Sequence, residues 1–195
     1  PVRHAMVSVS DEVHTDFVYS GHEHTTLARL APKELRLVTT LSASKTFNIA
    51  GMGLSATVVS DPADRTAIKS VLASMHLYPF NPLTMTAVEA AYNGGGPWLD
   101  ALLTYLDGNR RWLHDELTGL SGLRSRLPEA SFLTWVDCRE LGMADVDLNR
   151  FLVEKACIGV NDGASFGPGG QGHIRVNFGT QRSVLRSAIS QLKAA

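Results

Sequence analysis

Three residues have the types and settings from which chemistry can be built: Lys45, Asp11 and Arg175. Lys45 lies in Leu41-Ser42-Ala43-Ser44-Lys45-Thr46-Phe47-Asn48, just past an apolar run of strand type. A lysine so placed can lose its water, and a desolvated amine is a nucleophile near neutral pH. That is what imine formation with an aldehyde cofactor requires. The neighbouring Ser42 and Ser44 hydroxyls can donate to a phosphate, and Gly51 and Gly53 permit close backbone approach. Alone, Ser-x-Ser-Lys reads as a surface turn, so the other two residues decide. Asp11 opens Asp11-Glu12-Val13-His14-Thr15-Asp16 behind a short apolar run. Acids at the carboxyl end of a buried strand lie where α/β proteins place ligands. Taken by itself, Asp11 suits a helix N-cap. Arg175 follows the glycine-rich stretch 163–172 in His173-Ile174-Arg175-Val176-Asn177-Phe178, and could otherwise make a structural salt bridge.

These residues need strands and helices to hold them. Residues 5–10 form a short strand-type run, 35–41 a second that delivers Lys45, and 54–60 a third. Residues 19–31 are polar and irregular. Asp61-Pro62 predicts a helix start, with Asp as N-cap and Pro in the first turn. Ala67, Ile68, Val71, Leu72 and Met75 supply its apolar face. A turn through Tyr78-Pro79-Phe80-Asn81-Pro82 leads to a helix over 84–92. The strongest break is Asn93-Gly94-Gly95-Gly96-Pro97, before a long helix over 98–117. Strands are expected at 122–127, 131–136 and 158–161, and a helix at 147–156. The alternation over 173–178 predicts a strand with one buried face. Thr180 is the expected cap of a last helix with Val184, Leu185, Ala188, Ile189 and Leu192 inward. The break divides the chain into an α/β part, 1–96, and a bridging helix with a smaller α+β part, 97–195.

At 195 residues, the chain has room for one large domain or one and a half small ones. A formal net charge of −1 and no basic cluster argue against a nucleic-acid partner. No apolar run approaches a bilayer span and no signal peptide is evident, so a cytoplasmic location away from membranes is expected. Cys138 and Cys157 form no Cys-x-x-Cys pair and are expected to be reduced and buried. His22 and His24 lack an evident third ligand, so they read as loop residues and no metal is expected. Arg110 and Arg111 read as a solvated helix face, and Trp98, Trp112 and Trp135 as core or interface.

Together, residues 10–16, 42–51 and 166–177 resemble the fold type I pyridoxal-phosphate enzymes of the class I/II aminotransferase superfamily. The resemblance is strongest to the cystathionine β-lyase-like C–S lyases of the PatB/MalY type. It covers essentially the whole chain. It implies the carboxyl-terminal part of a PLP-transferase large domain plus the complete small domain. It also implies roles. Lys45 would bind pyridoxal 5'-phosphate covalently and later take the substrate α-proton. Asp11 would pair with the pyridine nitrogen. Ser42, and Ser44 with it, would contact the phosphate, and His14 would lie near the cofactor. Arg175 would grip the α-carboxylate of an amino-acid substrate in a two-pronged contact.

Two departures from the aminotransferase pattern bear on the reaction. Many aminotransferases carry Tyr where this chain has His14, and Arg where it has Gly53. Both changes resemble the C–S lyase branch, so β-elimination from cystathionine or cysteine is expected. An aminotransferase is the alternative, and a non-catalytic interaction protein keeping the fold is a second. The family's phosphate turn and ring-stacking aromatic precede the position of Asp11, and the chain starts Pro1-Val2-Arg3-His4. The expectation is a part of a longer protein, inactive alone, that joins its missing amino-terminal half and forms a homodimer.

Overall fold

The computed structural model describes residues 6–77 and 81–195. Ala5 of the first expected strand and Tyr78-Pro79-Phe80 of the expected turn lie outside the described residues. The chain divides into two compact units, Pro1–Ala101 and Leu102–Ala195, and the long helix α5 (Gly96–Thr118) crosses the boundary.

The first unit holds a three-stranded sheet in the order β1 (Val7–Asp11), β2 (Arg36–Leu41), β3 (Ala56–Val59). β1 runs parallel to β2, with Val9 opposite Val38 and Asp11 opposite Thr40, while β3 is antiparallel to β2. The central strand is buried on both faces, since the consecutive Leu37, Val38 and Thr39 are all inside. β1 departs from the expected buried strand. Its serines are half-buried, whereas Val7 and Val9 are exposed, Val9 at 67%. α1 (Leu27–Leu30) is a single turn in the stretch expected to be irregular, and α2 (Ala43–Thr46) follows β2 directly. α3 (Pro62–Ser74) begins as predicted, with the Asp61 carboxylate accepting from the Asp64 amide at 2.9 Å. Its apolar stripe does not become core: no residue of α3 is buried, because no described layer covers that face. α4 (Pro82–Gly94) and α5 are separated by Gly95 alone, a narrower break than the sequence suggested. Gly95 has a steric reason: a Cβ there would lie 2.4 Å from both the Phe47 ring and the Ala91 carbonyl.

The end of β1 is held by Glu12. Its buried carboxylate accepts from the Ser10 hydroxyl (2.9 Å), the Thr26 hydroxyl (2.9 Å) and the Leu27 amide (3.0 Å), and lies 3.1 Å from His24 Nε2. Burial alone would raise its pKa from 4.5. The bonds from His24, Leu27, Ser10 and Thr26 outweigh burial and bring it down to about 2.

The second unit is an antiparallel sheet in the order β4 (Arg124–Ser125), β5 (Leu133–Asp137), β7 (His173–Asn177), β6 (Asn161–Asp162), with helices α6 (Asp145–Arg150) and α7 (Arg182–Ala194). The strands expected at 122–127 and 158–161 shrink to the two-residue β4 and β6. The helix expected over 147–156 is α6 followed by a wider turn over Phe151–Lys155, in which the Ala156 amide reaches the Phe151 carbonyl (3.0 Å). β5 and β7 alternate as the period-two pattern requires. Val136 and Ile174 enter a core with Leu113, Leu117, Leu185 and Ile189, and Trp135 lies on the open side. Arg110 is not on a solvated face. It is 3% exposed, donates to Asp107 Oδ1 (2.6 Å) and to the Pro128 carbonyl, and only Arg111 is exposed. A buried guanidinium needs such partners to offset its lost hydration. Thr180 does not cap α7. Gln181 occupies the cap position without a side-chain bond, and the Thr180 carbonyl instead accepts from Asn109 (2.8 Å). Val184 is exposed rather than inward.

Asn109, fully buried, joins α5 to the β7–α7 connection. Its amide also donates to the Phe178 carbonyl (3.0 Å), and its Oδ1 accepts from Arg182 Nε (2.7 Å). Asn109→Leu strips two carbonyls and a guanidinium of their partner, and is expected to cost about 3 kcal/mol. Urea unfolding with a shifted midpoint and unchanged slope checks this. Glu12 makes a pH prediction. A carboxylate whose folded pKa lies below its unfolded one stabilises fully above the unfolded value, and that contribution fades as pH falls through the folded value. The Glu12 contribution is therefore complete above about pH 4.5 and lost towards pH 2. Glu12→Gln is expected to lower stability by about 1–3 kcal/mol at pH 7 and to flatten the acid limb of a melting-temperature profile.

Candidate active site

The parallel pairing of β1 and β2 sets Asp11 and the Ser42–Lys45 segment at the carboxyl end of one sheet. Asp11 is exposed. Its Oδ1 accepts only at 3.3 Å, from the Val13 amide and the Thr40 hydroxyl. His14 is half-buried, with its ring 6.3 Å from that of the buried Phe17. Ser42 caps α2. Its hydroxyl accepts from the Ser44 amide (3.1 Å) and spends its one proton on the Leu54 carbonyl (2.7 Å). The Ser44 hydroxyl has no hydrogen-bond partner among the described residues. Lys45 is exposed and makes no ion pair among the described residues, so the desolvation expected of it is not supplied here. Its helix is fixed from below: Thr46, 1% exposed, donates to Asp16 Oδ2 at 2.6 Å. Phe47 then packs edge-on against Tyr92 (5.7 Å) and tilted against Trp98 (6.1 Å). Among the described residues, nothing lies within 4 Å of where a Cβ on Gly51 or Gly53 would sit, so both backbones are open to an approaching group. Gly53 is needed for its φ of +63°, which closes the turn Ala50–Met52.

The donor set here fits pyridoxal phosphate. An accessible carboxylate suits a protonated ring nitrogen, an accessible amine suits an aldehyde, and an uncommitted hydroxyl suits a phosphate oxygen. The committed Ser42 hydroxyl fits the phosphate less well than Ser44.

Arg175 belongs to the second unit, in the middle of β7, with Trp135 opposite on β5 and Asn161 opposite on β6. The glycine-rich stretch before it is packed backbone against backbone. A Cβ on Gly163 would lie 2.4 Å from the Gly170 carbonyl, and one on Gly170 would lie 2.0 Å from the Gly163 carbonyl. This is a tight loop ahead of the strand rather than an open anion cradle. His24 is engaged with Glu12, and no cluster of metal-ligating side chains occurs among the described residues. Cys138 is buried, and burial first and Asp137 second push its thiol up to about 12. Cys157 is exposed, against the expectation of burial. The sequence reading missed Glu12, Thr46 with Asp16, Asn161 and Phe166. Phe166 and Glu12 stand inside the stretches 166–177 and 10–16, but which side chains they meet is set by the folded loops and follows no helix or strand periodicity.

Comparison with known proteins places this geometry. Residues 2–192 match the family described as aminotransferase class I and II. Cystathionine beta-lyase PatB of Bacillus subtilis is 37% identical over 100% of this chain and 51% of its own length. Protein MalY of Escherichia coli is 32% identical over 97% of this chain and 49% of its own. Cystalysin of Treponema denticola, whose crystal structure contains pyridoxal 5'-phosphate, superposes with a TM-score of 0.88 at 32% identity, covering 97% of this chain and 49% of that one. The chain thus spans about half the length of the curated relatives it matches. The α/β architecture expected for part of a fold type I PLP-transferase is borne out by this superposition. No described helix is long and apolar enough to cross a membrane. With a match running almost end to end, the chain belongs to the aminotransferase class I and II family.

Proposed function

We propose that this chain carries the lysine-bearing part of a pyridoxal-phosphate-dependent carbon–sulfur β-lyase acting on cystathionine- or cysteine-type substrates. The observation that carries the reading is the register of β1 on β2, which puts an accessible carboxylate and the Lys45 segment at one end of one sheet. The similarity to PatB and MalY supports elimination as the reaction. So do His14 and Gly53, which stand where many aminotransferases have Tyr and Arg.

When bound, the cofactor supplies an aldehyde for the substrate amine and a cationic ring that accepts the electron pair left at Cα. Asp11 would hold the ring nitrogen by accepting its N–H, favouring charge that develops only in the transition state. The Lys45 amine would take the proton from Cα. The Ser44 hydroxyl would donate to a phosphate oxygen, while Ser42 holds the turn, and His14 would serve near the cofactor. Arg175 would fix the α-carboxylate and thereby the bond that breaks. The C–S bond would then open with the pair leaving on sulfur. With water consumed, the products are pyruvate, ammonia and a thiol.

The exposed Lys45 needs further protein around it, and Val7 and Val9, exposed together on one face of β1, leave room for a covering layer. We read both as places met by the rest of a longer protein, assembled as a homodimer in the cytoplasm, with this chain inactive alone. The full-length protein tests the reading. It is expected to release pyruvate from cystathionine, and Lys45→Ala is expected to lower that rate by about 10²–10⁴-fold. Accumulation of pyridoxamine phosphate with an amino donor, without pyruvate, would turn the assignment to an aminotransferase. An unchanged rate in Lys45→Ala would remove the catalytic role.

A further inference from the structure

Arg175 is restrained from two directions at once. Its guanidinium carbon lies 4.3 Å from the centroid of the Phe166 ring. Its Nη2 and Nε both donate to Asn161 Oδ1, at 3.1 and 3.4 Å. The two restraints come from different elements. Phe166 ends the turn Gly163–Phe166, and Asn161 is the ladder partner of Arg175 on β6. Phe166 is itself steadied, because Trp135 meets it edge-on at 5.6 Å and His173 stacks on Trp135 at 5.6 Å.

A guanidinium has five N–H donors in one plane. Asn161 takes Nε–H and one hydrogen of Nη2, which closes the side of the fork. The ring covers one face. What remains is the end-on edge, with both hydrogens of Nη1 and one of Nη2, and that edge matches the two oxygens of a carboxylate.

We propose that Phe166 and Asn161 are positioning residues that lock the Arg175 guanidinium so that its Nη1–Nη2 edge receives the substrate α-carboxylate. The proposal rests on the reading of Arg175 as the carboxylate site. A flexible arginine would have to be ordered by each arriving substrate, and here the fold has ordered it in advance.

The test uses the full-length enzyme with cystathionine. Phe166→Leu keeps an apolar side chain but removes the ring, and is expected to raise KM about two- to fivefold with the effect falling on KM rather than kcat. Phe166→Tyr, which restores a ring, is expected to return KM to the wild-type value. Asn161→Ala is expected to raise KM by about two- to tenfold. Each effect should vanish in an Arg175→Ala background, since both residues act through that guanidinium. A second readout needs no turnover: propionate should protect Arg175 from phenylglyoxal, followed by mass spectrometry, and protect it less in Phe166→Leu. An unchanged KM in Phe166→Leu and Asn161→Ala, or an equal effect with Arg175 already removed, overturns the positioning role while leaving the carboxylate site standing. If Arg175→Ala itself leaves KM unchanged, the carboxylate reading falls and the proposal falls with it.

Discussion

The parallel ladder between β1 and β2 is the constraint on which the rest of the first unit depends. Parallel strands point the same way, so their carboxyl ends share one edge of the sheet. Whatever follows each strand must start from that edge. Asp11 ends β1, and Ser42 begins the turn that presents Lys45 just beyond β2. A slip of one residue would turn every side chain of β1 to the opposite face. The ladder alone is short. Glu12 reinforces it from the first position past Asp11, binding the segment 24–27 that starts the return towards β2. A buried carboxylate is costly unless its lone pairs are met, so this hub tolerates few alternative arrangements.

The turn after β2 shows how two similar residues divide their work. Ser42 has one hydroxyl proton, and the Leu54 carbonyl takes it, while the oxygen accepts the Ser44 amide. That commitment makes Ser42 part of the scaffold. Ser44 stays available because its amide, not its hydroxyl, serves the cap. Thr46 reaches down to Asp16, which ties the lysine turn back to the segment leaving β1. The two ends of the site are therefore joined by a side-chain bond as well as by the ladder.

The sequence made the fold legible where local rules govern. Asp61-Pro62 announces α3, period two announces β7, and Asp11 and Lys45 stand at strand ends because small motifs follow apolar runs. It was misleading where the environment decides. The stripe of α3 and the valines of β1 look like core, yet no described layer covers them. Arg110 looks like surface, yet Pro128 and Asp107 draw it inside. Thr180 has the right side chain for a cap, but its carbonyl was claimed by Asn109. Each error concerns tertiary surroundings, a covering layer or a backbone carbonyl brought in by the fold, which spacing and composition do not encode.

The glycines before β7 belong to the same reasoning. The backbone of Gly163 packs directly against that of Gly170, which gives the glycine content of this loop a physical reason. Pinning those two points fixes the turn between them, and Phe166 ends that turn. A side chain at either glycine would push the turn outward, and the ring would move with it. The stretch thus acts at one remove: small residues set a backbone, the backbone sets a ring, and the ring and Asn161 set a guanidinium. All of these residues lie within 161–175, on or beside one antiparallel ladder, so the presentation of Arg175 is a local property of its own sheet.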